Sequence, residues 1–173
     1  METENGFKLK FGSLSSGNHE FNYEMDSQFF ANRKESLVEN GLVNVILDVE
    51  KDDLKLALRF EMTGAVEQTC DRCLREIDYP IDFTGILHVK LTDKEIEDEA
   101  ELIYVPSNTI ELNLEDLFYD SLVIGLPMKI ECKDAIEAQE CDPQVVEILN
   151  AKKDEDENPN SEWLKLKDLF KTN

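Results

Sequence analysis

The stretch Asp53-Leu-Lys-Leu-Ala-Leu-Arg-Phe60 decides the fold class, because its apolar and polar residues alternate strictly. Alternation with a period of two places every second side chain on the same face of a β-strand and indicates that this face is buried. The residues on that face are Leu54, Leu56, Leu58 and Phe60. Upstream, the run LVNVILDV over residues 42–49 is richer in β-branched residues and favours a more central strand. The polar residues 50–53 between the two runs predict a hairpin connection.

A second alternating segment follows Cys73, with apolar residues on one side at Ile77, Tyr79, Ile81, Phe83, Leu87, Val89 and Leu91. Gly85 is the one gap on that side, and a glycine inside a long strand predicts a bulge or a bend. Pro80 lies on the opposite side and indicates an edge. Two short apolar runs, 102–105 and 109–112, are separated by a Pro-Ser-Asn turn.

The period becomes helical after Asn113, which we expect to cap a helix that ends at Pro127. A second helix is predicted to begin near Pro159 and to bury Trp163, Leu166, Leu169 and Phe170. The sequence therefore predicts an α+β fold, with a mainly antiparallel curled sheet or partial barrel and two short helices in the C-terminal half. We expect a single domain over residues 1–150, then an acidic connection and the C-terminal helix over residues 151–173, packing on or near that domain.

The charge of the chain is its most unusual property. Lys and Arg number 18 against 39 Asp and Glu, which gives a net charge of −21. Nucleic acids and anionic membranes repel such a polyanion at long range, so broad electrostatic binding to RNA or DNA is excluded. The N-terminus resembles no secretory signal, and no apolar run approaches the length of a membrane span, so we expect a cytoplasmic protein. The acidic stretches 93–101 and 154–157 are predicted to be solvated loops.

Four cysteines form the main candidate site: a C-x2-C pair, Cys70 and Cys73, and a C-x8-C pair, Cys132 and Cys141. Thiols stay reduced in the cytosol, so structural disulfides are not expected. A C-x2-C turn directs two thiolates at one metal ion, and structural zinc needs two more ligands to complete its tetrahedron. The second pair can supply them, although its spacing exceeds the usual two to four or so residues.

Two other interpretations of the cysteines stay open. Cys70 and Cys73 could exchange disulfides, but the strand pattern after Cys73 offers no helix N-terminus to stabilise a thiolate. Alternatively, all four are unligated core residues. The chain contains no phosphate-binding glycine loop and no zinc-protease motif, and His19 and His88 are predicted to be exposed or at an edge. We therefore assign no catalytic residue and no small-molecule substrate.

The cysteine motifs and the segments between them resemble those of the YceD-like family, which is found in bacteria and plastids. The resemblance rests on Cys70-Asp-Arg-Cys73-Leu74, on Leu114-Glu-Asp-Leu117, on the Leu126-Pro127 step and on the second cysteine pair. It spans roughly residues 42–141, and the tail from Asn158 also resembles the family's terminal helix. The chain departs from the family in the wide spacing of the second pair.

The resemblance implies a function that composition does not. It implies a non-enzymatic factor that supports accumulation of the large ribosomal subunit RNA, with a suspected structural zinc site at Cys70, Cys73, Cys132 and Cys141. Because the charge disfavours direct contact with rRNA, we expect basic ribosomal proteins or large-subunit assembly intermediates as partners. A thiol-disulfide protein and a metal-free interaction domain are the alternatives.

Overall fold

The protein folds around one five-stranded sheet, and most of its helical residues follow the strands of this sheet in the sequence. The computed structural model describes residues 6–34, 36–94, 96–99 and 101–156. The strands are β1 (Lys8–Leu9), β2 (Gly17–Met25), β3 (Gly41–Lys51), β4 (Lys55–Thr69), β5 (Glu76–Leu91), β6 (Leu102–Val105) and β7 (Leu112–Asn113). The helices are α1 (Ser27–Ala31), α2 (Glu115–Gly125) and α3 (Pro143–Asp156). Short 3-10 turns lie at Phe11–Ser13 and Cys132–Asp134.

The strand order in the main sheet is β2-β3-β4-β5-β6. Within β2, β3, β4 and β5, neighbouring strands are antiparallel, whereas β6 runs parallel to the C-terminal end of β5. Strands β1 and β7 form a separate two-stranded pair. The predicted α+β class with a mainly antiparallel sheet is confirmed, and the sheet stays open rather than closing into a barrel.

The two runs that decided the fold class pair as the sequence predicts. Residues 42–49 lie in β3, between β2 and β4, and residues 55–60 begin β4. Along both strands, alternate side chains are buried on one face of the sheet, which we call the inner face, and exposed on the other, the outer face. Leu54 was predicted to lie on the buried face of this strand, but it lies in the turn before β4 and is 58% exposed.

Gly85 and Pro80 both lie within the single long strand β5. The pairing of β4 with β5 continues without a bulge through Phe60 and Gly85, so the predicted bulge is absent. A Cβ on Gly85 would come within 2.3 Å of the Phe60 ring, so the ring occupies the space that a side chain would fill. Strand β6 pairs only with residues 88–91, so in the described residues Pro80 faces no strand on its second side, as an edge position requires.

The main core lies between the inner face and the segments that cover it. Its largest fully buried side chains include Met25, Leu47, Leu58, Met62 and Phe118. Phe118 of α2 links the layers, because its ring lies 5.4 Å from that of Tyr23 in β2 and 5.6 Å from that of Phe60 in β4. Helix α2 therefore holds the covering layer against the centre of the sheet.

Helix α2 begins close to the predicted position. The N-cap position is Leu114, one residue later than predicted, and it makes no side-chain cap bond; the Asn113 side chain instead accepts a hydrogen bond from the Glu115 N–H at 3.0 Å. Leu114, Phe118 and Leu122 are buried, as the helical spacing predicts. The two short runs 102–105 and 109–112 do not pair with each other, because the first joins β5 and only the end of the second pairs, with β1.

The sequence did not predict helix α3, which includes most of the acidic stretch 154–157. Residues 154–156 belong to this helix and not to a loop, whereas the described residues of 93–101 are irregular and exposed as expected. The predicted helix from Pro159, with Trp163, Leu166, Leu169 and Phe170, lies outside the described residues, and the division of the chain at residue 150 stays a prediction. Among the described helices, none has the length and apolar character to span a membrane.

Gly64 provides a test of the close approach between β3 and β4. Its φ of +156° disfavours a side chain, and a Cβ there would lie 2.1 Å from the Leu42 carbonyl oxygen. We expect Gly64→Ala to lower the free energy of unfolding by roughly 2–4 kcal/mol, the sum of backbone strain and overpacking. Urea unfolding monitored by circular dichroism measures this loss.

Gly17→Ala is the matched control for the Gly64 substitution. Gly17 also has a positive φ, +127°, but a Cβ there would meet no atom within 4 Å. Gly17→Ala should therefore lower the free energy of unfolding only by the backbone strain, about 1–2 kcal/mol. If Gly64→Ala and Gly17→Ala lost equal free energies of unfolding, the close contact of Gly64 with β3 would not contribute to the loss.

Candidate metal centre

The first cysteine pair forms the turn of the longest hairpin in the protein. Strands β4 and β5, of 15 and 16 residues, leave only residues 70–75 between them. The Cys70 N–H donates to the Arg75 carbonyl at 2.8 Å, and the Leu74 N–H donates to the Cys70 carbonyl at 2.9 Å. Leu74 adopts a φ of +59°, which is unusual for a branched side chain. The turn is thus tight enough to direct both sulfur atoms to the same side.

The second cysteine pair is brought together by a folded eight-residue insertion. Cys132 begins a 3-10 turn in which Glu131 and Asp134 cap each other reciprocally. The Gln139 N–H then donates to the Cys132 carbonyl at 3.1 Å, so the chain returns towards its starting point. This return places Cys141 beside Cys132 despite the wide spacing.

Asp71 joins the two cysteine segments without using sulfur. Its N–H donates to the Ile130 carbonyl at 2.8 Å, and its carboxylate accepts from the Ile130 N–H at 2.6 Å. The Arg75 guanidinium adds a bond to the Gln139 amide oxygen at 3.0 Å. These residues were not assigned from the sequence, because the partners are about sixty residues apart and only the fold shows that they meet.

The four predicted cysteines meet in one cluster. Their sulfur atoms all lie within 4.8 Å of one another, with Cys70 to Cys141 at 3.7 Å and Cys73 to Cys132 at 3.4 Å. Metal–sulfur bonds of about 2.3 Å place the sulfurs of a regular tetrahedron about 3.8 Å apart. Three of the cysteines are buried, and Cys141 is partly buried. The cluster can therefore hold one metal ion.

The cluster forms the centre of a second, small core. Its buried members are Cys70, Cys73, Ile77, Ile130 and Cys132, with Tyr79, Leu126, Ala135, Cys141 and Val145 packed around them. Three of its five buried residues are cysteines. A core of this size buries little apolar surface, so hydrophobic burial alone gives it little stability.

The thiols of the cluster differ in their tendency to ionise. The backbone N–H groups of Asp142 and Arg75 lower the pKa of Cys73 to about 6. Burial, together with the neighbouring thiols, raises the pKa of Cys132 to about 12. Burial also raises the pKa of Cys141. Amide donors therefore favour a thiolate on the first pair, while full ionisation of the cluster requires a cation to offset burial and mutual repulsion.

The closest sulfur contacts do not match a C-x-x-C redox pair. They link each cysteine of the first pair to one of the second, and Cys70 and Cys73 are 0% and 8% exposed. Strand β5 follows the turn, so the first pair does not itself begin a helix as a redox C-x-x-C pair does, although the Asp142 N–H at the start of α3 is directed at Cys73. Neither histidine reaches the cluster: His88 lies in β5 opposite Ala57, and the His19 ring lies 2.9 Å from the Ser15 carbonyl.

The chain matches a model of a known protein family. The family model described as "Large ribosomal RNA subunit accumulation protein YceD" matches residues 58–170, more than half of the chain. The match includes all four cysteines and continues beyond α3. No curated protein and no solved structure matches the chain.

Proposed function

This chain belongs to the YceD family, and from that membership we propose that it is a non-enzymatic cytoplasmic factor that supports accumulation of the large-subunit rRNA. The protein acts through basic partners, either ribosomal proteins or large-subunit assembly intermediates. Its four cysteines hold a structural zinc ion. The observation that carries the proposal is the cluster of Cys70, Cys73, Cys132 and Cys141 within the segment that matches the family.

Zinc is the metal that suits this cluster best. Four sulfur donors in one largely buried cluster are typical of structural zinc. All four positions are protein ligands, so no open position is left for water or substrate, as catalytic zinc would need. The ion ties the β4–β5 turn to the segment after α2, which stabilises a core too small to be held by burial alone.

The outer face of the sheet favours a basic partner. Glu20 and Glu24 of β2 and Asp48 of β3 are exposed there, and the register places Glu20 directly opposite Asp48. Like charges at facing positions destabilise a sheet, and Arg59 of β4, which faces Asp48 on its other side, offsets only part of this repulsion. A basic protein that covers these carboxylates relieves the repulsion and gains electrostatic attraction, in keeping with a net charge of −21.

We expect the purified protein to contain about one zinc ion per chain, with four thiols that react only after denaturation or chelation. Cys132→Ala should release the metal and lower the free energy of unfolding by several kcal/mol, because metal binding energy is also folding energy. Elemental analysis of protein made without a metal-affinity tag, with a thiol titration, measures both.

Val38→Ala is the control for the loss of a buried side chain. Val38 is 0% exposed in the main core, away from the cysteines, so this variant should lose stability but keep its zinc. A metal-free protein whose stability is unchanged when all four cysteines become alanine would establish the metal-free interaction domain instead. Reduction of insulin by the wild type, abolished by Cys70→Ser, would establish the redox alternative.

Cells that lack the protein should contain less large-subunit rRNA relative to small-subunit rRNA. Quantification of both rRNAs by electrophoresis measures the ratio, and the wild-type chain should restore it. The control chain Val38→Ala should also restore it, because its metal site is intact. An unchanged ratio in the deletion strain would refute a role in rRNA accumulation.

Capture of large-subunit ribosomal proteins by the immobilised protein should decrease as salt increases. The Debye length falls from about 10 Å at 0.1 M to about 3 Å at 1 M, so an attraction between exposed charges weakens. The variant Glu20→Gln/Glu24→Gln/Asp48→Asn should capture less at low salt. Mass spectrometry of the eluates measures the effect.

A second triple variant controls for net charge. Glu97→Gln/Glu137→Gln/Glu147→Gln changes the charge equally at exposed positions outside the sheet and should capture as well as the wild type. Salt-independent capture would contradict an electrostatic contact. Tight binding of rRNA fragments by the protein alone, at micromolar concentration, would contradict the indirect mechanism.

A further inference from the structure

One end of the outer face carries a cluster of cations that the functions above do not use. Across β3, β4, β5 and β6, the register aligns Glu50, Ala57, His88 and Leu102 in one row. The small Ala57 leaves a depression, and the surrounding cleft has a volume of about 480 Å³. We call it the cationic cleft; its polar lining residues are Lys55, Arg59, His88, Lys90, Glu50 and Asp52.

The register forces two lysines of the cationic cleft to face each other. Lys55 of β4 is the direct partner of Lys90 in β5, and both are exposed on the outer face. Facing residues in an antiparallel pair lie about 5 Å apart at Cβ, so two ammonium groups there repel each other. A pairing that costs stability, in a chain with few cations, indicates a binding role.

The cations of the cleft are incompletely neutralised. Among the described residues, Lys55, Lys90 and His88 form no ion pair and no side-chain hydrogen bond. Arg59 pairs with Glu50 at 3.8 Å, and both side chains are more than half exposed. The Asp52 carboxylate accepts the N–H of Asp53. The cleft is thus lined by three permanent cations, the His88 imidazole and two carboxylates, of which Glu50 pairs with Arg59; Asp48 of β3 also faces Arg59, so the cations without a nearby acidic partner are Lys55 and Lys90.

We propose that the cationic cleft binds a phosphate group. The ammonium groups of Lys55 and Lys90 reach the oxyanion from two facing strands, and the imidazole of His88 in the next row can donate a further hydrogen bond. An anion between the two lysines removes their mutual repulsion. The group can be inorganic phosphate or the phosphodiester of a ribonucleotide chain, since both present the same oxygens.

The net charge of the chain is compatible with this site. At physiological ionic strength the Debye length is about 8 Å, so carboxylates farther away act weakly on a phosphate inside the cleft. The remote charge still opposes the approach of a long polyanion. The cleft should therefore bind a single phosphate group with an affinity on the order of 1 mM, and not a length of RNA tightly.

The two histidines of the chain allow a direct test by NMR. The full-length protein is titrated with sodium phosphate at constant pH and ionic strength, and the imidazole C–H signals are followed. The signals of His88 should shift to saturation, whereas those of His19, which lies on β2 away from the cleft, should stay in place. Equal or unsaturable shifts of both histidines would overturn the proposal.

Lysine variants test which groups bind the phosphate. Lys55→Gln and Lys90→Gln should each weaken phosphate binding about two- to fivefold, as expected for an exposed ion pair. Each should also raise the Tm at low salt without phosphate, because the lysine repulsion is removed. Lys34→Gln, an exposed lysine after α1, should change neither quantity. A double variant that binds phosphate as tightly as the wild type would overturn the assignment.

The source of the phosphate is distinguished by two further probes, a uridine dinucleotide with one phosphodiester and uridine itself. A His88 shift with the dinucleotide and none with uridine would support an RNA backbone contact. A shift with inorganic phosphate alone would support a free phosphate site, and no shift with either would overturn the proposal. The cleft uses neither the cysteines nor the acidic residues of β2, so its failure would leave the ribosomal function standing.

Discussion

The pairing of β4 with β5 is the interaction on which the rest of the structure depends. These strands of 15 and 16 residues carry the centre of the main core on one face and the cationic cleft on the other. The turn that joins them contains Cys70 and Cys73. One continuous register therefore fixes three features together, and a slip of one residue would move every side chain of β5 to the wrong face.

The length of this hairpin explains why the cysteine cluster needs its own stabilisation. The turn extends beyond the main core, and the cluster forms a separate core in which five of the described residues are buried. The bonds between Asp71 and Ile130 bring the two segments together, but hydrogen bonds of this kind contribute only about 1 kcal/mol each. Closing a loop of about sixty residues costs more than that. A metal ion bound by both segments would supply the missing free energy.

The sequence predicted the parts of this structure that depend on local pattern. Alternation identified β3, β4 and β5, because each strand has one face in a core and one in water. It did not identify α3, whose apolar residues Ile148 and Leu149 are both more than 40% exposed and show no clear stripe. The spacing of Cys132 and Cys141 left closure of the cluster open, because no local pattern shows that Gln139 folds the insertion back. The facing lysines depend on the register of residues 35 positions apart.

The net negative charge of the chain and the cations of the cleft act over different distances. The net charge of −21 acts over the range of the Debye length and favours basic partners over RNA. The cations of the cleft act only at contact, where Lys55 and Lys90 would face a bound phosphate from two paired strands. A basic partner that neutralises Glu20, Glu24 and Asp48 also lowers the barrier to a phosphate that approaches the same face. Protein binding at β2 and β3 would therefore favour phosphate binding at β4 and β5.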